Sequence, residues 1–289
     1  MTVTETRPDL SRYPRTLEPT TRYSDLDPSR RVGREALLRW FEDARLEVVQ
    51  GVLRSHDRQA AYLAASVRLD VLAPLRINGQ YLIGYGVTHL GTASVGYAYG
   101  VFDDDALVAV GSSTNVHAIG GTPTPLPDEA RAVLGELVIP DAARLPRTER
   151  PASRRVRENY PFRYDVRTRF GDLDTFRHVN NVALAGWYVD GLAELHTDLL
   201  GYPVGGPLDG LSPSGLEVEY GGIVQYPGIY QLRVGVVDID DSAVRYACGL
   251  FDGARCLGVA DAVGAVRFAD DEGRDIDLRA AFEPFRMRG

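Results

Sequence analysis

Lysine is missing from this 289-residue chain; all 32 basic residues are arginine. That absence excludes Schiff-base lysine chemistry and the phosphate-binding lysine of a P-loop. Basic charge is also outweighed, 32 residues against 40 acidic ones for a formal net charge of −8, so nucleic acid is not an expected partner. Cysteine is scarce. Cys248 and Cys256 flank the turn pair Asp252-Gly253, and a turn there sets Gly249 opposite Cys256 and Cys248 opposite Leu257. The two thiols are then not cross-strand neighbours, which predicts reduced strand cysteines rather than a disulfide. No apolar run approaches the roughly 20 residues that a membrane-spanning helix needs. The opening stretch MTVTETRPDLSRYPRTLEPT has no apolar core of the secretory kind. A cytoplasmic protein with no membrane partner and a flexible segment over 1–14 is the expectation.

Several catalytic signatures are missing as well. There is no G-x-S-x-G, the nucleophile elbow of an α/β-hydrolase, and no H-E-x-x-H or paired C-x-x-C to hold zinc. Asp103–Asp105 reads as a charged hairpin tip, and His56, His89, His117 and His196 lack companions at ligand spacing. No metal and no cofactor are predicted.

What the chain does contain, it contains twice. TRYSDLD at Thr21 matches TRFGDLD at Thr168, an offset of 168 − 21 = 147. The same offset relates Trp40 to Trp187, Asp43 to Asp190, Leu69 to Leu216 and Val71 to Val218. SVGYAYGVFD from Ser94 matches AVRYACGLFD from Ala243 at an offset of 149, as do Gly79 and Tyr81 with Gly228 and Tyr230. Identities in the same order at nearly constant spacing mark a tandem duplication. Each copy reads as a short strand (about 17–24 and 162–171), an acidic loop, a long helix (about 34–54 and 181–200) and four strands. Alternating apolar residues place these strands at about 61–72, 78–90, 93–103 and 106–118, then at about 214–224, 228–239, 242–252 and 255–268.

The helices are apolar nearly all round; Leu37, Leu38, Trp40, Phe41, Leu46, Val48, Val49, Val52 and Leu53 leave the first one little polar face. Such a helix must be enclosed. Twenty residues span roughly 30 Å, enough to cross about six strands. The predicted fold is α+β, each copy a long central helix wrapped by a curved antiparallel β-sheet. The boundaries fall at 15–139 for the first copy, 140–160 for a linker rich in proline and arginine, and 161–289 for the second. In the linker six arginines from Arg144 to Arg157 surround one acid, Glu149, which suits either a solvated connector or a patch for a nucleotide phosphate or an acidic carrier protein.

The two copies differ most at the helix entrance. The second reads DLDTFRHVNN, with Asp174 seven residues before Asn181, where the helix starts. A carboxylate near a helix N-terminus is stabilised as an anion, and the amide N–H groups there can polarise a carbonyl oxygen. An acid and an oxyanion-type site sharing one entrance suit attack on an acyl carbonyl. His178 can orient the acid or a water, and Asn180 and Asn181 can cap the helix or bind substrate. Asp172 reads as a structural turn acid. Phe176, Arg177, Gly186 and Trp187 are the candidate substrate-binding residues, with Ala183, Ala185 and Gly186 leaving room beside the helix. The first copy keeps Asp25 and Asp27, but Arg31 replaces the histidine and Gly33-Arg34 the asparagine pair. Glu42 reads as a polar tether.

Asp-x-Asp followed by His-Val-Asn-Asn, with a tryptophan six residues on, resembles the hotdog-fold thioesterases: the 4-hydroxybenzoyl-CoA thioesterase-like group and, more closely, the double-hotdog acyl-ACP thioesterases. DLDTFRHVNNVALAGW is similar to the second half of the latter, and the duplicated frame extends the likeness over about residues 15–285. The resemblance implies a tandem double hotdog that hydrolyses acyl-ACP or acyl-CoA without metal or cofactor, as a monomer or homo-oligomer. It implies Asp174 as nucleophile or base, His178 as the motif histidine, the Asn181 amide as the group polarising the thioester carbonyl, and a site near the interface of the halves. Asp27 becomes a second candidate site, since some hotdog thioesterases work from D-x-D-P. Two positions depart from the plant-type pattern: Phe176 stands where an asparagine is carried two residues after the acid, and VEYGGIVQYPG offers only Glu219 and Gln225, off register, for the strand glutamate. The rival readings are a hotdog hydratase or dehydratase, whose acid and histidine lie five apart rather than the four of Asp174 and His178, and a non-catalytic acyl-thioester-binding module.

Overall fold

Both long helices form where apolar side chains recur at helical spacing, α1 over Arg34–Leu53 and α3 over Asn181–Leu200. The computed structural model describes residues 9–53, 60–142, 148–200, 212–264 and 277–288. The chain divides into two compact units. The first runs from Met1 to Arg147 without Asp27–Ser29 and Gly33–Glu35, and these two short pieces belong with Thr148–Gly289 in the second.

In the first unit the strands are β1 (Arg15–Leu17), β2 (Ala60–Val71), β3 (Tyr81–Leu90), β4 (Ser94–Asp103), β5 (Ala106–Ile119) and the two-residue β6 (Thr122–Pro123), followed by the short helix α2 (Asp128–Gly135). They are antiparallel in the order β1-β3-β4-β5-β2, with β6 on β5. The second unit has β7 (Phe162–Arg167), β8 (Gly215–Tyr220), β9 (Ile229–Ile239), β10 (Val244–Asp252), β11 (Arg255–Gly264) and the terminal α4 (Leu278–Phe282). Its order, β7-β9-β10-β11-β8, repeats that of the first strand for strand. On β4 the buried residues Val95, Tyr97 and Tyr99 alternate with the half-buried Ser94, Gly96 and Ala98, the period-two signature of a sheet with one inward face, and the strand is then buried on both faces over Gly100–Phe102. Phe41 of α1 stacks on Tyr99 with ring centroids 4.4 Å apart. Gly111 lies beneath the same ring, so close that a Cβ would sit 2.1 Å from Phe41 Cε2. The helix is seated on the sheet by that missing side chain.

The repeat extends to loop geometry. Tyr81 closes the turn before β3 by donating its hydroxyl to Arg76 O (2.9 Å) and accepting from Arg76 N (2.6 Å). Tyr230 does the same to Gln225, both bonds 3.0 Å long. Arg30 and Arg177, 147 positions apart, both take left-handed backbone angles, φ 60° and 65°.

Three expectations need correction. Neither helix is enclosed on all sides: α1 exposes Glu35, Asp43 and Glu47 and α3 exposes Asp190, Glu194 and Asp198, acidic stripes at spacings of four and eight whose charge is too costly to bury. The strands leading into the helices are shorter than 17–24 and 162–171, ending at Leu17 and Arg167 and giving way to 3-10 turns at Tyr23–Asp25 and Phe170–Asp172. The β10–β11 hairpin turns at Gly253-Ala254, with Asp252 opposite Arg255, and a register shift after Leu250 puts Phe251 opposite Cys256 and Cys248 opposite Ala260. Both cysteines are free, Cys248 fully buried. The expected final strand over 265–268 lies outside the described residues.

Segment 148–160 packs against β10 and β11 of the second unit. Tyr160 is 2% exposed against Phe251 and Ala247 and donates its hydroxyl to Arg154 O (2.6 Å). Arg150, its side chain 7% exposed, contacts Asp261 (2.6 Å), Glu217 (3.2 Å) and Glu219 (3.3 Å). Arg154 pairs with Asp261, Arg155 with Glu219 and Arg157 with Glu158. These four guanidiniums are therefore occupied by carboxylates of the chain's own.

His196 on α3 is buried at 2% exposure, with Nε2 3.0 Å from the Tyr246 hydroxyl. Burial disfavours the imidazolium and pushes its pKa down from 6.5 to about 4. Between those values the unfolded chain binds a proton that the folded chain does not. The stability from the neutral imidazole is thus complete above about pH 6.5 and is lost as pH falls toward 4, a difference of about 3 kcal/mol. Urea unfolding at pH 7 and pH 4 should show His196→Leu losing about that much less than the wild type on acidification.

Candidate active site

The loop from Phe170 to Asn180 is folded by its own side chains. Asp172 accepts from Arg169 N at 2.8 Å and closes the 3-10 turn, the structural role expected of it. Asp174 O accepts from Arg177 N (3.0 Å), and Asp174 N donates to His178 O (2.8 Å). The Asp174 carboxylate lies inside this turn, with Oδ1 accepting from Phe176 N (2.8 Å) and His178 N (3.0 Å). Two amides thus fix one carboxylate oxygen, and Oδ2 takes no hydrogen bond from a described residue. The side chain is half-buried, neither locked in the core nor loose in solvent.

Asn180 is the N-cap of α3. Its Oδ1 accepts from Val182 N (2.6 Å), its C=O accepts from Leu184 N (3.0 Å) and its N–H donates to Asp172 O (2.8 Å). Asn181 is the first helical residue, and its C=O accepts from the Tyr220 hydroxyl (2.8 Å). The loop is tied to the sheet by a bridge between His178 and Gln225 and by Val179 N donating to Val224 O (3.0 Å). Asp174, His178, Asn180 and Asn181 therefore meet at one helix entrance. This arrangement offers a fixed carboxylate beside the positive end of a 20-residue helix.

The predicted substrate contacts are dispersed. Phe176 is 43% exposed at the loop tip beside the exposed Arg177, while Trp187 is buried at 7% in the core. Gly186 offers no open room, since a Cβ there would lie 1.8 Å from Glu35 Oε1 and 2.5 Å from Glu35 Cδ. Its counterpart in the first copy is Arg39, whose guanidinium clamps the buried Asp25. Replacing that arginine by glycine leaves the space that Glu35 fills. Sequence reading missed Glu35, although the change of Arg39 to Gly186 at an offset of 147 was a visible signal.

Asp27 is held differently. Oδ1 accepts from Ser29 N (2.9 Å), as in the second copy, but Oδ2 faces Arg34 Nη1 at 3.9 Å and accepts from Ser212 Oγ at 3.4 Å. The side chains of Asp27 and Arg34 are only 9% and 12% exposed, and Arg34 Nε donates to Pro213 O (2.6 Å). Arg34 occupies the position that Asn181 holds in the second copy. Glu219, one of the two residues near the expected strand position, is taken by Arg150 and Arg155. Among the described residues no group of three or more His, Cys, Asp or Glu could hold a metal, and no helix is long and apolar enough to cross a membrane.

Residues 155–199 match the family model of the acyl-ACP thioesterase C-terminal domain. No curated protein matches the chain significantly. Solved structures do. A putative oleoyl thioesterase from Lactobacillus plantarum superposes with a TM-score of 0.70 at 18% identity, covering 88% of this chain and 94% of its own. The 12:0-ACP thioesterase from Umbellularia californica gives 0.69 at 14%, covering 86% and 96%. An acyl-ACP thioesterase from Bacteroides thetaiotaomicron VPI-5482 gives 0.67 at 10%, covering 86% and 97%. The class of fold is that of the hotdog thioesterases. Within that class, the segment that carries Asp174, His178, Asn180 and Asn181 is the one that matches the acyl-ACP thioesterase domain.

Proposed function

We propose that the chain is a tandem double-hotdog acyl thioester hydrolase whose working site is the Asp174 loop of the second copy, cleaving acyl-ACP or acyl-CoA to a free acid and a thiol. The observation that carries this reading is the Asp174 carboxylate, fixed through Oδ1 by two amides while Oδ2 faces no donor of the described residues. In the reaction Oδ2 either attacks the thioester carbonyl or takes a proton from an attacking water. The carbonyl oxygen, gaining charge, is stabilised by the first-turn amides of α3, that of Asn181 foremost. In the base route the C–S bond breaks and the sulfur leaves as the carrier thiol with the proton the water gave up. In the nucleophilic route it leaves as a thiolate protonated from solvent, and a water then hydrolyses the acyl–Asp174 anhydride to the free acid. His178, anchored by its own N–H on Asp174, orients the water or the substrate. The match of residues 155–199 to the acyl-ACP thioesterase domain supports thioesters over other acyl compounds, and acyl-group metabolism in the cytoplasm is the setting we infer.

The test is a screen of saturated acyl chains of increasing length on both carriers, following free thiol, with enoyl-CoA absorbance followed in parallel. Thiol release with a defined chain-length optimum is the expected result. Loss of enoyl absorbance without thiol would instead mean a hydratase, and saturable binding without either signal a binding module.

A further inference from the structure

Beside the Asp174 loop lies a groove of about 330 Å³ lined by Arg167, Thr168, Tyr226, Pro227, Gly228 and Ile229. We propose that it binds the phosphorylated end of a pantetheine arm; this rests on the thioesterase reading and names which part of the carrier this surface holds.

Three observations carry it. The groove adjoins the site through the backbone, since Gln225, whose neighbour is Tyr226, bridges to His178. Its lining is amphipathic. The exposed Arg167 forms no ion pair with a described residue, whereas Tyr226 is 44% and Ile229 58% exposed, with Phe170, 79% exposed, edge-on to Tyr226 at 6.3 Å. The first copy lacks this lining. At the corresponding offsets it has Thr20 for Arg167, Ile77 for Tyr226, Asn78 for Pro227 and Gln80 for Ile229. The exposed aromatic of Phe170 is kept as Tyr23, but the Arg167 cation and the Tyr226 ring occur only beside the intact motif.

The chemistry of the lining selects the ligand. A guanidinium pairs with phosphate in a fixed fork, and exposed tyrosine and isoleucine carbons cover an apolar surface such as the geminal methyls of a pantoyl group. The volume lies at the small end of the range for small-molecule sites. The groove is also pre-formed: the Tyr230 hydroxyl bonds both N and O of Gln225, and Thr168 Oγ1 accepts from Gly228 N at 2.8 Å. A wall that does not reorganise loses less on binding.

One acyl group presented on pantetheine, on 4′-phosphopantetheine, on coenzyme A and on a carrier protein tests this, with Arg167→Thr and Tyr226→Ile taken from the first copy. Arg167→Thr is expected to raise KM about tenfold for acyl-phosphopantetheine and for whichever full carrier the wild type prefers, with kcat and the KM for acyl-pantetheine unchanged. Tyr226→Ile should raise KM for the pantetheine and phosphopantetheine forms alike. An equal effect of Arg167→Thr with and without the phosphate, no effect at all, or one confined to coenzyme A would overturn the proposal. Should the wild type cleave none of these thioesters, the thioesterase reading fails, yet calorimetric titration with unacylated 4′-phosphopantetheine and pantetheine still decides the groove. Tighter binding of the phosphorylated form, lost in Arg167→Thr, supports it; equal binding overturns it.

Discussion

Asp174→Asn is expected to lower turnover of the best acyl thioester by about a thousandfold while leaving urea unfolding within about 1 kcal/mol of the wild type. The amide keeps an oxygen that can accept from Phe176 N and His178 N, so the turn that caps α3 persists. What it loses is the charge and basicity of Oδ2, worth about 10² to 10⁴ in rate when a positioned carboxylate acts as base. Asp27→Asn makes the contrast. Its carboxylate faces Arg34 and Ser212 with a side chain 9% exposed, which leaves little of it accessible to a substrate or an attacking water. Turnover should fall less than about threefold. The reverse pattern, activity surviving in Asp174→Asn and lost in Asp27→Asn, would move the working site to the first copy.

Local pattern carried most of the architecture. Periods of 3.6 and 2 in the side chains set the α3 bounds at 181–200 and, apart from the strands leading into the helices, brought the strand ends within a few residues, because burial of one face dictates those periods. The Asp174 loop was legible because its bonds are local: within eight residues a turn acid holds the amides of Phe176 and His178, and an asparagine caps the helix that follows. Contacts between residues far apart in sequence were not. The bond from Arg34 Nε to Pro213 O spans 179 positions, and those that bind Arg150 span 111 to Asp261 and 69 to Glu219. No periodicity encodes such pairs. The linker arginines accordingly read as solvated or as anion-binding, when Arg150 and Arg154 lie under acids of β8 and β11. The turn at Gly253-Ala254 was misplaced by one residue because nothing local announces the register shift after Leu250.

The two copies also solve the packing beneath the helix in opposite ways, and that difference gives a large stability effect at neutral pH. Arg45 on α1 is 4% exposed and pairs with Glu42 at 3.1 Å, one turn away. Around it lies a file of hydroxyls and amides: Tyr62 to Tyr97 at 3.1 Å, Tyr99 to Ser113 at 2.9 Å and Ser113 to Asn115 at 3.2 Å. At the corresponding positions of the second copy stand Leu192 for Arg45, Val189 for Glu42, Cys248 for Tyr99 and Ala262 for Ser113. Arg45→Leu alone leaves the Glu42 carboxylate without its guanidinium and should destabilise the fold by about 3 kcal/mol. Adding Glu42→Val converts the pair to the apolar form of the second copy and should recover most of that loss, because two well-packed apolar groups carry no desolvation cost. Urea unfolding of the single and double variants measures both. A double variant no more stable than Arg45→Leu would mean that the hydroxyl file, rather than the Glu42 carboxylate, depends on Arg45.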